Sequence, residues 1–363
     1  MTRTNRRNPV TRTRRKGRIA TAAAVAIATA ALLAACSSAQ ASTPTSAPAT
    51  TLRLGYFDNI THAPALVGLQ SGSLQAALGK TKLSAQIFNA GPAEIEALSA
   101  GAIDAAYIGP SPAINSYIKS HGESLKIVAG ATNGGAALVV APGITSAADL
   151  KGKKLASPQL GNTQDVALRF WLQSKGYKTQ ISGSGDVTIN PTDNSQTLAL
   201  FKTGKLDGAW LPEPWASTLV VNAGAKVLVD EASLWPHRTF PTTVLVVSTQ
   251  FLAAHPSTVA ALVKGNADAI SWLNGHKSDA AGVLNAKLKA DTGKTLSSAV
   301  LDRALGNVTF SNDPVASAYP TLLSHAVAVG TGKTGSIKGL LDLSPLNALR
   351  AKAGLTSIST GGE

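Results

Sequence analysis

The sequence predicts an α/β protein of two lobes, each a mixed, mostly parallel sheet flanked by helices, joined by a two-strand hinge. A pattern of Gly-x-[Ile/Leu]-Asp-[Ala/Gly]-Ala-[Tyr/Trp]-[Ile/Leu] occurs at residues 101–108 and again at 204–211, and Pro-x-Pro follows each copy. Helix-like and strand-like runs also alternate through the first 250 residues, which is typical of βαβ units. The duplicated unit therefore indicates two similar lobes.

The first block of elements extends from residue 51 to residue 140. Proline near a first turn and glycine after a last turn mark its helices, because these residues fit the two ends of a helix. Residues 132–135, Thr-Asn-Gly-Gly, predict a turn. The predicted strands are 51–56, 83–88, a short strand within the repeat at 101–108, 125–130 and 136–140, and the predicted helices are 64–71, 92–100 and 112–120.

The second block repeats this order and is followed by a helical tail. An unbroken run of β-branched and aliphatic residues at 242–248 predicts a further strand, and no strand is expected after it. The second block's predicted strands are 154–157, 187–189, a short strand within the repeat at 204–211, and 226–229. Its helices are 147–150, 164–174 and 195–203, and the tail helices are 256–274, 278–292, 296–305 and 319–329.

Chain crossings near 140–143 and 241–244 would divide the chain into lobes. Lobe one would comprise residues 52–141 and 244–363, and lobe two residues 142–243. Ligands of open α/β sheets bind outside the carboxyl ends of the strands, so the two copies of the repeat would face each other across a cleft. Two crossing strands form a hinge on which such a cleft can close.

The first 51 residues predict an export signal and a lipid anchor. Eight basic residues precede residue 20, and an apolar run of small residues follows to residue 35, as in a secretory signal peptide. The run ends in Leu-Ala-Ala before Cys36, which resembles the lipobox of bacterial lipoproteins. Residues 36–51 contain almost only Ser, Ala, Thr and Pro and predict a flexible tether. Cys36 is the predicted lipid attachment site.

The net charge of +13 does not indicate a nucleic-acid partner. Without the eight charges of the signal, 25 basic and 20 acidic residues remain, and no Lys/Arg run occurs among them. Nucleic-acid-binding domains carry a clustered basic patch. A small solute is therefore the expected partner.

No catalytic or metal-binding constellation is present. Cys36 is the only cysteine, which excludes an intramolecular disulfide and a cysteine-based zinc site. The six histidines show no paired ligand spacing, and neither a Gly-x-Ser-x-Gly elbow nor a P-loop occurs. We expect no catalytic residue, no metal and no cofactor.

Small polar residues at the strand-to-helix turns predict a site for a small anion. Such turns offer free backbone N–H groups and the positive end of a helix dipole. Each hydroxyl residue could equally be an ordinary N-cap of its own helix, and Glu213 could accept from a ligand amine or orient a neighbouring loop. The predicted ligand-binding residues are Asn59, Thr61, His62, Gly109, Ser111, Asn133, Gly161, Asn162, Thr163, Gln164, Glu213 and Trp215.

Four stretches of these turns resemble a known family. They are Leu54–Tyr56 with Thr61–Pro64, Gly109–Ala113, Gly161–Asp165 and Pro212–Trp215, and they resemble the solute-binding lipoproteins of ABC importers in the aliphatic sulfonate, taurine and nitrate group. The resemblance covers nearly the whole mature chain. It implies a type II periplasmic-binding fold with the ligand held at these turns, and an ABC permease as the membrane partner.

The expected function is that of an extracytoplasmic receptor, anchored to the cell membrane by a lipid (palmitate). It would be a monomer that captures a small organic anion and is not an enzyme. An aliphatic sulfonate such as taurine or an alkanesulfonate is the favoured ligand. Nitrate, bicarbonate and a thiamine-pyrimidine precursor are alternatives, as are a secreted enzyme on the same fold and the sensory domain of a receptor.

Overall fold

A computed structural model describes residues 47–361. The predicted signal peptide, Cys36 and most of the predicted tether lie outside this range. Within it, no helix combines the length and the apolar character needed to cross a membrane.

Eleven strands and thirteen α-helices form the described part of the chain, with short 3-10 helices between some of them. The strands are β1 Thr51–Tyr56, β2 Lys82–Ile87, β3 Ala105–Ile108, β4 Leu125–Gly134, β5 Ala136–Val140, β6 Lys154–Ser157, β7 Thr188–Pro191, β8 Gly208–Pro212, β9 Lys226–Asp230, β10 Pro241–Ser248 and β11 Val308–Phe310. The helices are α1 Ala63–Gln70, α2 Ser73–Leu78, α3 Gly91–Ser99, α4 Pro110–Lys119, α5 Thr163–Ser174, α6 Asn194–Lys202, α7 Trp215–Ala223, α8 Thr249–Ala254, α9 Pro256–Gly275, α10 Lys277–Thr292, α11 Ser298–Gly306, α12 Tyr319–Ala328 and α13 Ser344–Lys352.

The strands form two mixed sheets flanked by helices, as predicted. The first sheet has the order β11-β4-β10-β3-β1-β2 and the second the order β7-β6-β8-β5-β9. The predicted excess of parallel pairing is not observed. Only the pairs of β1 with β2 and β3, and of β6 with β7 and β8, are parallel. The strands next to the crossings pair antiparallel instead.

The two sheets repeat one arrangement around the duplicated pattern. Asp104, before β3, accepts from the Arg53 N–H at 2.8 Å, and Asp207, before β8, accepts from the Lys154 N–H at 2.7 Å. Each aspartate thereby joins its strand to the neighbouring parallel strand. The glycines Gly101 and Gly204, which end the preceding helices, have φ of 68° and 70°. Left-handed residues of this kind favour glycine after a helix.

Each sheet has its own apolar core. The core of the first sheet includes Leu54, Tyr107 and Val246. In the second sheet, Leu138 packs on one face and its neighbour Val139 on the other, because successive side chains of a strand alternate. We refer to each sheet with its helices as the first half and the second half of the protein.

The first crossing lies earlier than predicted. β5 pairs with β8 and β9 and so belongs to the second sheet, although we assigned it to lobe one. β4 also extends to Gly134 through the residues predicted as a turn. The chain passes between the sheets at Gly134 and Gly135, which have φ of 74° and 75°. The chain crosses back to the first sheet at Phe240–Pro241, next to the second crossing predicted at 241–244. The lobe limits themselves remain a prediction.

Two further predictions about the ends of the folded region are wrong. The tail was expected to contain no strand, but β11 pairs with β4 at the edge of the first sheet. The end of the predicted tether is packed rather than free. Ala49 is buried, donates its N–H to Thr258 Oγ1 at 2.9 Å and accepts from Thr81 Oγ1 at 2.6 Å. The sequence analysis gave no limits for helices α2, α7, α8 and α13.

Candidate functional site

A polar pocket lies between the two halves, and the first residues of several helices line it. Asn59, His62, Gly109 and Asn162 each directly precede a helix, and Asn194 begins α6. The positive ends of helix dipoles therefore point toward one volume. No Lys, Arg, Asp or Glu is among the described residues that line it. They are Phe57, Asn59, Thr61, His62, Asn89, Gly109, Pro158, Asn162, Gln164, Asn194, Pro212 and Thr242.

His62 is a neutral donor in this pocket. Its Nδ1 accepts the Phe57 N–H at 3.2 Å, and its ring stacks on the Phe57 ring with centroids 4.2 Å apart. Complete burial lowers the pKa of His62 to about 3. The imidazole is therefore uncharged at neutral pH. Because Nδ1 accepts, the proton resides on Nε2, which remains available as a donor.

Asn162 bridges the two halves at the pocket wall. Its Oδ1 accepts from the Gly91 N–H, the first residue of α3, at 3.2 Å. Its Nδ2 donates to Gln164 Oε1 at 2.7 Å. An amide oxygen thus occupies the anion-attracting end of a helix in the other half. Gln164 lines the pocket and keeps its Nε2 group without a partner among the described residues.

Thr163 makes a second bridge of the same kind. Its Oγ1 accepts from the Ser111 N–H, in the first turn of α4, at 3.3 Å. Neither Asn162, the residue before α5, nor Thr163 caps α5 through its side chain. The capping role that we considered for Thr163 therefore applies to a helix of the opposite half. A Cβ atom on Gly109 would lie 2.5 Å from Thr163 Oγ1, so glycine permits this contact.

A buried ion pair holds the loop that carries these two residues. Asp165 accepts from Ser157 Oγ at 2.7 Å and from the Gly161 N–H at 2.9 Å. Arg169, one turn later, donates its Nε to the same carboxylate at 2.9 Å, and both side chains are at most 1 % exposed. Arg169 Nη1 also donates to the Gln180 carbonyl at 2.6 Å. The Asp165–Arg169 pair thus connects the end of β6 and the loop at Gly161 to the backbone at Gln180.

Two more contacts join the halves near the outer edge of the pocket. Trp215 Nε1 donates to Asn59 Oδ1 at 2.8 Å, and the Thr61 N–H donates to the Glu213 carbonyl at 3.3 Å. The Glu213 carboxylate accepts from Ser217 and from Asn307 Nδ2, the latter at 2.7 Å. Burial raises the pKa of Glu213, and the hydrogen bonds from Asn307 and Ser217 partly offset this rise. Its oxygens orient neighbouring elements.

The polar pocket is small and opens into a larger cavity. Its volume of about 10 Å³ is enough for one water molecule. The neighbouring outer cavity, of about 500 Å³, shares with it Phe57, Asn59, Asn89 and Asn194. The outer cavity also has an apolar wall. This wall consists of Ile87, Phe88, Leu198, Trp215, Leu288 and Leu296.

A cluster of titratable groups adjoins Asp58, which lines the outer cavity. Lys287 donates to Tyr56 Oη at 2.8 Å and forms an ion pair with Asp291, which also accepts from Tyr56 Oη at 3.0 Å. Burial and the adjacent Asp291 raise the pKa of Asp58 to about 7. The Asp58 carboxyl therefore retains its proton well above the usual range of aspartate.

The structure brings half of the predicted site residues into the pocket. Asn59, Thr61, His62, Gly109, Asn162 and Gln164 line it. Ser111, Thr163, Glu213 and Trp215 lie beside it in the contacts between the halves. The remaining two predicted residues, Gly161 and Asn133, lie elsewhere. Whether any of the twelve contacts a ligand remains a prediction.

Gly161 and Asn133 serve the backbone rather than the pocket. No atom of the described chain lies within 4 Å of a Cβ placed on Gly161. Its φ of 78° shows that glycine is needed for the left-handed turn before α5. Asn133 is part of β4 and pairs with Pro241 and Thr309.

The sequence analysis missed six lining residues. Asn89 and Asn194 lie at the starts of α3 and α6, and the signal that identified Asn162 could have found them. Thr242 belongs to the strand returning from the second half. Phe57, Pro158 and Pro212 complete the lining. The described residues also contain no group of three His, Cys, Asp or Glu side chains placed to hold a metal ion.

Several curated proteins are similar to this chain. A protein of Brucella abortus (strain 2308) described as a binding protein is 31% identical over 180 residues, which is 49% of this chain and 53% of the relative. A protein of Bacillus subtilis (strain 168) described as an aliphatic sulfonates-binding protein is 25% identical over 236 residues, which is 63% of this chain and 67% of the relative. The taurine-binding periplasmic protein of Escherichia coli (strain K12) is 28% identical over 185 residues, 50% and 54%. The chain thus spans about half the length of the first of these relatives.

Solved structures share the fold at lower sequence identity. The alkanesulfonate-binding protein SsuA of Xanthomonas axonopodis pv. citri, bound to MOPS, superposes with a TM-score of 0.66 at 22% identity, covering 79% of this chain and 96% of that one. The periplasmic nitrate-binding protein NrtA of Synechocystis PCC 6803 has a TM-score of 0.71 at 18% identity, covering 84% and 89%. The sequence model of the NMT1-like family matches residues 45–286, more than half of the sequence, and the chain therefore belongs to the NMT1-like family.

Proposed function

We propose that this protein is the extracytoplasmic solute-binding component of an ABC importer and captures a small organic anion between its two halves. The observation that carries the proposal is the convergence of helix starts on one polar pocket. Backbone N–H groups and helix dipoles attract negative charge at such positions. The binding proteins for sulfonates, taurine and nitrate among its relatives and structural neighbours support this class of ligand.

The pocket can bind an anion without a cationic side chain. His62 Nε2 and Gln164 Nε2 are donors, and the Gly91 N–H group becomes a donor when Asn162 Oδ1 moves away. A hydrogen bond to a charged group contributes about 1.5–3 kcal/mol, and micromolar affinity requires about 8 kcal/mol. Three such bonds total about 4.5–9 kcal/mol, a range that includes this requirement. Because the pocket is only about 10 Å³, the halves must separate to admit the ligand and then close on it.

We infer an aliphatic sulfonate, such as taurine or an alkanesulfonate, as the ligand. The three sulfonate oxygens would accept from the donors at the helix starts. The organic part would extend into the outer cavity, against Trp215 and Leu198. Nitrate and bicarbonate have no organic part to occupy that cavity, and a thiamine-pyrimidine precursor would use the amide groups instead. The protein would act as a monomer, deliver its ligand to a membrane permease and catalyse no reaction.

Calorimetric titration tests this proposal. We expect micromolar binding of taurine or ethanesulfonate, and weaker or no binding of nitrate, bicarbonate and an aminopyrimidine. Gly109→Ala should weaken binding at least tenfold, or about 1.4 kcal/mol, because the added Cβ would lie 2.5 Å from Thr163 Oγ1 and hinder closure. Gly143→Ala, where no atom lies within 4 Å of the new Cβ, is the matched control.

The outcomes of the titration separate the alternatives. Binding of nitrate, bicarbonate or the aminopyrimidine, without binding of the sulfonates, would contradict the proposed ligand. It would still support the proposed role as the solute-binding component of an importer. Equal affinity of the Gly109→Ala and Gly143→Ala proteins would remove the pocket between the halves from the binding site. Conversion of any of these compounds during the titration would favour the secreted enzyme.

We also propose that a lipid on Cys36 anchors the protein to the cell membrane. The support is the lipobox-like Leu-Ala-Ala-Cys sequence followed by a polar segment. A Cys36→Ser protein should leave the membrane fraction and lose the mass of the lipid in intact-protein mass spectrometry. Retention of the Cys36→Ser protein in washed membranes would contradict the proposal.

A further inference from the structure

A second polar cavity, of about 440 Å³, lies on the first half between the end of α4 and the loop that follows α12. It shares no lining residue with the pocket between the halves or with the outer cavity. Three lysines and a histidine line it, together with backbone and small polar groups. They are Lys119, His121, Lys333 and Lys338. We call this feature the basic cavity.

The cations of the basic cavity are not neutralised by neighbouring carboxylates. No acidic residue is among its lining residues, and within the described chain none of its lysines forms an ion pair. The acidic residues nearest in sequence are Glu123 and Asp342, and Asp342 accepts from the Ser344 N–H. Lys126 lies over the Tyr117 ring and donates to the Gly339 carbonyl. The exposed lysine ammonium groups are therefore available to an anion.

The loop of the basic cavity adds unpartnered backbone donors. It has the sequence Gly-Thr-Gly-Lys-Thr-Gly-Ser at residues 330–336. The N–H groups of residues 333–336 donate to no atom of the described chain. Consecutive N–H groups of this kind, beside a lysine, form the concave anion sites found in many phosphate-binding loops.

Packing against α4 fixes the position of this loop. A Cβ on Gly335 would lie 2.7 Å from Ile118 Cγ2, and one on Gly332 would lie 2.9 Å from Asn115 Oδ1. Tyr117 Oη donates to the Lys338 carbonyl at 2.6 Å. Glycine thus permits a close approach that side chains would prevent. The donors are therefore positioned before any ligand arrives.

We propose that the basic cavity binds a phosphate group, as a second anion site separate from the pocket between the halves. A phosphate group carries at least one negative charge and several acceptor oxygens, so it can engage two lysines and the loop N–H groups together. The phosphate group can come from a soluble phosphate compound or from a phospholipid head group, and this inference does not depend on the proposed solute.

Nuclear magnetic resonance of the ¹⁵N-labelled full chain tests the site, with sodium pyrophosphate as the soluble probe at constant ionic strength. We expect saturable shifts of the Thr334 and Gly335 amide signals. Lys333→Gln/Lys338→Gln should raise the dissociation constant at least tenfold. The matched control, Lys277→Gln/Lys352→Gln, removes two exposed lysines elsewhere and should leave it within twofold.

A second titration identifies the source of the phosphate. Bicelles containing phosphatidylglycerol are compared with bicelles of phosphatidylcholine, which has no net charge. Loop shifts with pyrophosphate support a soluble ligand, and shifts confined to the phosphatidylglycerol bicelles support a lipid head group. The absence of saturable loop shifts with both probes would overturn the site, as would equal weakening by the control pair.

Discussion

Replacing Arg169 by methionine is expected to lower the free energy of unfolding by about 3–5 kcal/mol. The substitution removes the partner of Asp165, whose carboxylate is completely buried. The remaining bonds from Ser157 and Gly161 cannot replace a full positive charge. An uncompensated buried charge is far more costly than the loss of an exposed pair. Chemical denaturation of the variant and the parent protein measures the difference.

The exposed pair Lys264–Asp268 provides the control for this measurement. It has the same spacing of four residues on a helix, but its side chains are 54% and 47% exposed. Lys264→Met should therefore change the free energy of unfolding by less than about 1 kcal/mol. Similar losses for Lys264→Met and Arg169→Met would show that the buried pair has no special role in holding the loop at 161–165.

Ionisation of Glu231 is expected to lower the free energy of unfolding by about 3 kcal/mol as the pH rises from about 4.5 to about 7. His62, whose pKa burial lowers from 6.5 to about 3, contributes in the opposite direction below about pH 6.5. Glu231 is buried beneath the second sheet and accepts from Trp210 Nε1 at 2.6 Å. Burial raises the pKa of Glu231 from 4.5 to about 7. In this pH window the unfolded chain loses the proton and the folded chain keeps it, so deprotonation favours unfolding. Denaturation at pH 5 and pH 8 measures the change.

Glu231→Gln should remove this part of the pH dependence and stabilise the protein at pH 8. The glutamine oxygen can still accept from Trp210, but no charge is buried. Asp58, with a raised pKa of about 7, adds a loss in the same direction, and His62, with a lowered pKa of about 3, adds a gain. The contribution of Glu231 is therefore the difference between the pH dependence of the parent protein and that of Glu231→Gln. Glu96→Gln, at an exposed position, is the control and should keep the pH dependence of the parent. If the stability of Glu231→Gln depends on pH in the same way as that of the parent, Glu231 does not lose its proton in this pH range in the folded protein.

Local patterns were sufficient to predict most of the fold. The strand at 51–56 and the helix at 256–275 differ from their predicted limits by at most one residue, because alternation, proline and glycine specify them. The position of the first crossing between the sheets could not be predicted from local patterns. Gly134 and Gly135 read as a turn, and only pairing with distant strands shows that the chain passes straight between two sheets there. β11 was missed because three residues carry too little pattern.

The same distinction applies to the candidate site. The turns carrying Asn59, His62 and Asn162 were predicted because each adjoins a helix start, which sequence can mark. The partners across the halves could not be predicted, since they depend on how the two sheets face each other. Thr163 illustrates this point. Its sequence position is that of an ordinary cap, whereas its hydroxyl accepts from a helix 52 residues away.

The position of β10 has a consequence for the order in which the protein can form during synthesis. β10 lies between β3 and β4 in the first sheet, yet it follows the whole second half in the chain. A nascent chain that ends before residue 241 contains all strands of the second sheet and lacks the central strand of the first. The second half, whose synthesis begins later, can therefore be completed first. The first half, which begins near the N-terminus, must wait until β10 has been synthesised.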